Sequence, residues 1–269
     1  VEGFFECPEL FELPVEGKPG QTQWVMYDAT GRYVLGSFDG KKFTVSQTFR
    51  QYDYGGGGFF YASQTFNNVP GNRRIQQGWG RGLVHPGMPF NQPMLFPTEL
   101  KLKQSFDGLR LCPTPIKEIG LLHKNSQVAE NKMLRSDNGV SLPVNNDAVH
   151  VKAVFEKGDA TGFGIRVHGY ELSYDHLLGE FSTIHGSTNT KTTYANPDAD
   201  IFSIEAIVDK NVLEVFVNDG ELYYVLSFDG QKDNKVDVFI KGRGATRKTL
   251  LKKLEVHELV SAWTGSQPQ

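Results

Sequence analysis

Gln23-Trp-Val-Met-Tyr27, Asp28-Ala-Thr-Gly31, Tyr33-Val-Leu-Gly-Ser-Phe38 and Asp39-Gly40 follow one another as strand, turn, strand, turn. Apolar and aromatic residues at strand spacing are punctuated by Asp and Gly, which tolerate positive φ in tight hairpins. The flanking segments, Phe4 to Leu13 and Lys42 to Val45, have the same character and complete a meander of four. A second set of four follows the glycine run Gly55 to Gly58: Phe59 to Phe66, Arg74 to Trp79, Glu99 to Gln104 and Leu109 to Pro113. Here Phe106-Asp107-Gly108 stands where Phe38-Asp39-Gly40 stood in the first set. Two such meanders are what two blades of a β-propeller look like, and an irregular sandwich fits the same residues. Phe228-Asp229-Gly230 recurs in a different setting, so the tripeptide marks a hairpin turn rather than a repeat.

From Asn145 the strands lengthen: Ala148 to Glu156, Gly162 to His168, Tyr170 to Asp175, Glu180 to His185, Phe202 to Val208, Val212 to Val217, Leu222 to Phe228, Val236 to Lys241 and Leu250 to Leu259. Val212-Leu-Glu-Val-Phe-Val217 followed by Asn218-Asp-Gly220 is the clearest hairpin signal, and strands at this spacing predict a β-sandwich. Between the two sets, Ile116, Ile119, Leu122 and Val128 are loosely spaced, so Lys117 to Ser136 reads as a linker with one turn of helix. The expected fold class is all-β, divided into 1–116 (a partial propeller of about two four-stranded blades), 117–144 (linker) and 145–269 (C-terminal β-sandwich).

Composition points the same way. A chain of 269 residues with 39% hydrophobic and 12% aromatic residues, 29 Gly and 13 Pro favours short strands and tight turns over long amphipathic helices. Its 28 Lys+Arg against 31 Asp+Glu give a formal charge of -3, which argues against a nucleic-acid partner. No apolar run approaches the roughly 20 residues of a membrane helix, and Val1-Glu-Gly-Phe-Phe-Glu6 lacks the form of a signal peptide. The opening in strand-like sequence without Met suits a piece of something longer. Cys7 and Cys112 are 105 positions apart with no His or second Cys at ligand spacing, so they read as free thiols ahead of one disulfide, and no zinc site is expected. His85, His123, His150, His168, His176, His185 and His257 are scattered, read as structural or solvated rather than metal ligands, and no cofactor is expected. Gly55 to Gly58 lacks the Lys-Ser/Thr of a phosphate loop and reads as a flexible turn, while Arg73, Arg74 and Arg81 read as a basic rim at the surface.

Phe4-Phe5-Glu6-Cys7-Pro8-Glu9-Leu10-Phe11 carries the candidate chemistry. A carboxylate flanked by Phe5, Cys7 and Pro8 on a predicted strand is set among apolar neighbours, and desolvation there favours a proton donor near neutral pH. The same Glu6 also fits a surface carboxylate on a strand edge. Glu9, three residues on, faces away from Glu6 on an alternating strand, so the two are not expected to form a catalytic pair.

Glu6-Cys7-Pro8-Glu9-Leu10-Phe11-Glu12-Leu13 resembles the Glu-Cys-Pro motif of glycoside hydrolase family 32, the β-fructofuranosidases that include invertases, levanases and inulinases. Trp24-Val-Met-Tyr27, Tyr33 to Gly40, Tyr52-Asp-Tyr-Gly55, Phe60 to Phe66, Arg73 to Trp79 and Met94 to Leu100 follow in the family's order, and Leu213 to Gly220 resembles its C-terminal sandwich. The resemblance implies a five-bladed propeller followed by a sandwich, with the active site in the funnel where blades meet. It implies that Glu6 is the general acid/base, and that Trp79 lines the sugar pocket, a core Trp fitting equally. Tyr61 and Gln64 on an inner strand either face the funnel or pack.

One departure stands out. Retaining glycosidases need a nucleophilic carboxylate about 5 Å from the acid/base. In the family it lies in a Trp-Met-Asn-Asp-Pro-Asn-Gly-like motif, with a third carboxylate in Arg-Asp-Pro, and this sequence has neither. The residues present correspond to the last two blades and the sandwich. Two readings follow: a β-fructoside hydrolase acting on fructan, levan, inulin or sucrose whose nucleophile comes from elsewhere, the chain alone being inactive, or a non-catalytic carbohydrate-binding or assembly module. Exposed blade faces would favour self-association or a complementing propeller fragment. Polymeric fructans imply an extracellular or periplasmic setting.

Overall fold

The structure, a computed structural model, describes residues 3–51, 58–186, 188–196, 198–227, 233–242 and 247–263. Tyr52, Gly55 to Gly57 and the Phe228-Asp229-Gly230 turn lie outside the described residues. Among the described residues the chain is all-β, its only helical pieces being 3-10 turns at Pro70–Asn72 and Lys117–Leu122. It divides into two compact units, residues 1–116 with 211–229, and residues 117–210 with 230–269.

The first unit holds two antiparallel meanders. Strands β1 (Glu9–Pro14), β2 (Thr22–Tyr27), β3 (Arg32–Phe38) and β4 (Phe43–Gln51) pair in chain order, as do β5 (Phe60–Thr65), β6 (Ile75–Gly80), β7 (Thr98–Ser105) and β8 (Gly108–Pro115). The Asp-Gly turns do what their chemistry requires. Asp39 Oδ1 accepts from the Lys41 and Lys42 amides at 2.8 and 2.7 Å, Gly40 has φ +91°, and the β7–β8 turn closes on Gly108 at φ +118°. Phe11 and Leu13 of β1 face inward while Leu10, Glu12 and Pro14 face out, the period-2 alternation of a half-buried strand. Fully buried Tyr27, Tyr33 and Leu35 fill the first sheet, each contributing roughly 1.5–3 kcal/mol by removal from water.

The hairpin β17 (Val212–Val217) and β18 (Leu222–Ser227) groups with this unit. Phe60 meets Tyr223 edge-on at 5.8 Å, the Phe96 amide donates to Glu214 Oε1 at 2.7 Å, and Ser105 Oγ donates to Glu221 Oε1 at 2.6 Å. The turn Asn218-Asp219-Gly220 is held against β8 so closely that a Cβ on Gly220 would sit 2.1 Å from the Pro113 carbonyl oxygen.

In the second unit, β10 (Val140–Pro143), β19 (Lys235–Lys241), β12 (Gly162–Val167), β13 (Tyr170–Asp175), β14 (Glu180–His185) and β15 (Thr188–Tyr194) form one sheet in that order. Strands β16 (Ile201–Asp209), β11 (Val149–Glu156), β20 (Lys248–Leu259) and β9 (His123–Arg135) lie side by side in another. Rings from both sheets meet: Phe155 stacks on Phe163 at 4.5 Å and Tyr174 on Phe202 at 4.1 Å, the packing of a β-sandwich core.

Several expectations need correction. Residues 117–144, expected as a linker, contain one 3-10 turn and then β9 and β10. Both are edge strands; β9 is largely exposed and shows no apolar alternation, and β10 alternates over only four residues, too few to be recognised as a strand. Strand β1 starts at Glu9 rather than Phe4: Glu6 and Cys7 have φ +48° and +39°, a conformation that cannot continue a pleated strand. The histidines are not all scattered, since His123, His150 and His257 come together across β9, β11 and β20. Cys7 and Cys112 are both free, and burial pushes the Cys112 thiol up to about 12.

Candidate active site

The candidate site is built on the bend that precedes β1 and on the paired strands β5 and β6. Three non-glycine residues here have left-handed backbone: Glu6, Cys7 and, within β5, Ala62 at φ +48°. Such conformations cost of order 1–3 kcal/mol each and persist only where surrounding bonds determine them. The bonds are present. The buried Ala29 donates its amide to the Glu6 carbonyl at 3.1 Å and accepts at its own carbonyl from the Ala62 amide at 2.8 Å, so one residue ties both bends. Next to it Asp28, fully buried, accepts from the Phe5 amide at 3.3 Å, from the Thr30 amide and hydroxyl at 2.9 and 2.6 Å, and from Arg32 at 3.1 Å.

This framework presents Glu6 to Tyr61. The Tyr61 hydroxyl donates to Glu6 Oε2 at 2.5 Å. Tyr61, opposite Trp79 in the β5–β6 register, meets that indole edge-on at 6.1 Å, and the Arg81 guanidinium lies over the Tyr61 ring at 3.9 Å. The hydrogen bond to Glu6, with burial and the Glu6 charge adding to it, holds the Tyr61 phenol above its ordinary ionisation range. Glu6, Tyr61 and Trp79 are therefore brought together. Gln64 is not part of the group: it stands exposed beyond the β5 bulge, opposite Gln77.

The surroundings of Glu6 differ from the expected apolar setting. The residue is exposed and lies in a bend, with Phe5 also exposed, so the flanking apolar residues do not enclose it. Glu9 is a brace. It accepts from the Tyr27 hydroxyl at 2.5 Å and from the Thr65 amide at 2.9 Å, and the Thr65 hydroxyl donates to it as well, linking β1 and β2 to β5. The three arginines expected as a surface rim each have a separate engagement: Arg73 with Glu99 at 2.8 Å, Arg74 with Thr65 at 3.2 Å and over the Phe11 ring, and Arg81 on Tyr61. A cleft of about 500 Å³ lies at the other end of β1, lined in part by Glu12, Phe66 and Arg74. Thr22 and Thr65 occupy Glu12 and Arg74 there.

Sequence reasoning missed Asp28, Ala29 and Arg81. Asp28-Ala-Thr-Gly31 was legible as a turn, and the Asp between Tyr27 and Ala29 was the available signal for a buried carboxylate. Among the described residues no group of three or more His, Cys, Asp or Glu is arranged to hold a metal ion.

A carboxylate fixed by a tyrosine beside an indole thus stands on meanders joined in sequence to a sandwich. Residues 2–115 match the glycosyl hydrolases family 32 N-terminal domain and residues 118–258 the glycosyl hydrolases family 32 C-terminal domain; the chain belongs to this family. It is similar to the levanase of Bacillus subtilis, 28% identical over 99% of this chain and 44% of the levanase, and to invertase 1 of Saccharomyces cerevisiae, 22% identical over 96% and 60%. Among solved structures it resembles the exo-inulinase of Aspergillus awamori, with TM-score 0.77 and 20% identity over 96% of this chain and 57% of that one. A β-fructofuranosidase of Schwanniomyces occidentalis complexed with fructosyl-erythritol gives TM-score 0.77 and 20% identity over 94% and 59%. The chain spans about half the length of the curated relatives it matches.

Proposed function

We propose that the chain supplies the acid/base half of a retaining β-fructoside hydrolase. The observation that carries this reading is the Glu6 carboxylate held at 2.5 Å by the Tyr61 hydroxyl beside Trp79. In the first step Glu6 gives its proton to the glycosidic oxygen as the bond to the sugar breaks and an oxocarbenium-like centre develops. In the second, the resulting carboxylate takes a proton from the water that displaces the enzyme-bound sugar. Tyr61 fixes the rotamer of Glu6, and the Trp79 face, with Gln64 further along β5, offers a surface for the sugar. The two meanders then act as two blades of a five-bladed propeller, residues 1–116, ahead of the sandwich.

The nucleophile comes from outside these residues, since no Trp-Met-Asn-Asp-Pro-Asn-Gly-like motif occurs in the sequence. The chain alone is accordingly inactive and is completed by self-association or by a propeller fragment that carries the motif. Relatives that include an extracellular exo-inulinase of Meyerozyma guilliermondii support an extracellular setting. Among the described residues no helix is long and apolar enough to cross a membrane. A second reading, a non-catalytic fructan-binding module, is favoured by the exposure of Glu6.

The test is fructose release from sucrose, levan and inulin by the purified chain, alone and mixed with a polypeptide carrying the nucleophile motif, each with and without Glu6→Gln. Turnover only in the mixture, lost in the variant, supports the hydrolase. Turnover by the chain alone overturns the claim of a missing nucleophile, and levan binding without turnover in any mixture favours the module.

A further inference from the structure

In the second unit a row of ionisable side chains crosses four adjacent strands, and it is separate from the Glu6 site in sequence and chemistry. His150 Nε2 lies 2.7 Å from Glu205 Oε1, and His150 Nδ1 lies 2.9 Å from His123 Nε2. The His123 ring stacks on His257 with centroids 3.8 Å apart and planes 4° from parallel, and His257 Nδ1 bonds Ser126 Oγ at 2.8 Å. The strands are β16 for Glu205, β11 for His150, β20 for His257 and β9 for His123. A single arrangement of neutral rings satisfies the chain of bonds. His150 donates from Nε2 to the carboxylate and accepts at Nδ1 the proton on His123 Nε2.

We propose that this row is an acid-sensitive clasp: the stacked neutral imidazoles of His123 and His257 hold the first residues of edge strand β9 on β20, and proton uptake by the stack lets that end open.

Three features place the opening at this end. Among the described residues β9 is an edge strand whose backbone pairs with β20, and beyond that pairing its start is held by a side-chain bond from Gln127 to the Pro143 carbonyl. The β9–β20 register shifts between Val256 and Glu258, and Asn125 has φ +48°, so pairing is already interrupted beside the stack. The faces of two parallel rings 3.8 Å apart tolerate two neutral imidazoles or one charge, whereas two cations at that distance repel.

Of the charged groups around the stack Glu255 favours protonation of both rings, but burial and the neighbouring imidazoles outweigh it. Glu205 is engaged by His150 and by Lys152, whose Nζ is 3.3 Å away. Burial opposes this, but the His150 bond and the Lys152 charge prevail and hold the Glu205 carboxyl below its ordinary range. Glu255 of β20 is paired with Lys253 at 3.0 Å, and Glu258 is engaged by Asn125 and the Asn145 amide. Burial first, then the proximity of His257 and His150, pushes His123 down to about 4, and burial followed by His150 lowers His257. The folded clasp thus resists protons that an opened end binds at the ordinary histidine value of about 6.5, so its hold is complete above that pH and is lost as pH falls toward about 4.

The test is amide hydrogen exchange of residues 123–127 and 256–260 at pH 7 and pH 5, corrected for intrinsic rates, together with the imidazole C–H titration followed by NMR. Protection of these amides is expected to fall at least about tenfold at pH 5, while the β12–β13 amides keep theirs. In His123→Gln, which keeps a polar group without the charge, the pH-dependent difference is expected to shrink severalfold. Equal protection at both pH values, or a wild-type pH difference retained in His123→Gln, overturns the proposal. So does titration of His123 and His257 at the ordinary histidine value, a measurement on the wild-type chain that stands even where the variant does not fold.

Discussion

The Tyr61 hydroxyl donates to Glu6 Oε2 at 2.5 Å, so a strand of the second meander fixes the side chain that the bend before the first meander presents. The bond bears on the ionisation of Tyr61. A phenol that donates to a carboxylate loses that partner's acceptance when it ionises, which keeps Tyr61 protonated above its ordinary range. Replacing Glu6 by Gln removes the anion while keeping the shape. The expected outcome is that one tyrosine in the ultraviolet alkaline titration moves down toward about 10. An unchanged titration curve in Glu6→Gln would show that the two groups are not coupled in solution.

Asp28 organises the bend from beneath. Its carboxylate is fully buried and receives the Phe5 amide, Thr30 and Arg32, so Asp28→Ala leaves several donors without an acceptor at once. Removing one partner of a buried charged network is expected to cost ~3 kcal/mol. Urea denaturation should show a lower midpoint with an unchanged slope, and the Tyr61 titration should loosen in parallel because the bend holding Glu6 is no longer tied. A loss of under about 0.5 kcal/mol, the usual range for a surface change, would show that Asp28 is not the anchor.

What the sequence made legible and what it did not divides along physical lines. All eight strands of the two meanders and nine in the later part of the chain were recognisable, because half-buried strands alternate and their turns need Asp and Gly. The three strands that went unrecognised, β9, β10 and β15, are all at sheet edges. Sequences such as Thr188-Asn-Thr-Lys-Thr-Thr-Tyr194 carry β-branched residues but no apolar alternation. At the site, the resemblance pointed to Glu6, Trp79 and Tyr61, whereas the left-handed backbone at Glu6 and Cys7 was hidden. Nothing in the identity of a Glu or a Cys announces positive φ, which is imposed by the Ala29 and Asp28 bonds across 23 positions of chain. The histidine row was hidden for the same reason, since His123 and His257 become neighbours only through the pairing of β9 with β20.

Gly220 tests the placement of the β17–β18 hairpin. With φ +89° and a hypothetical Cβ at 2.1 Å from the Pro113 carbonyl, Ala at this position meets both backbone strain and a backbone clash. The conformational part alone is expected to cost about 1–3 kcal/mol, and the clash adds to it because a strand carbonyl cannot turn aside. A melting temperature equal to wild type in Gly220→Ala would mean that the turn does not lie against β8.

Acid stability offers the last check, through the pair of arginines around Asp107. Arg50 of β4 and Arg110 of β8 both bind Asp107 Oδ2 at 2.8 Å, so the turn of the second meander is joined to the last strand of the first. Burial works against the charged carboxylate here, but the hydrogen bonds from Arg110 and then Arg50 prevail, lowering Asp107 from 3.8 to about 2. The folded state therefore binds this proton more weakly than the unfolded chain does. Its stabilising contribution is complete above about pH 4 and disappears as pH falls toward about 2. In Asp107→Asn the unfolding free energy should be lower at neutral pH and should fall less steeply between pH 4 and pH 2 than in wild type. The two curves should converge near the acid end, where the wild-type carboxylate is protonated and holds the arginines no better than the amide. Parallel curves over that interval would assign the acid sensitivity to other carboxylates and leave the Arg50 contact as a surface pair of little consequence.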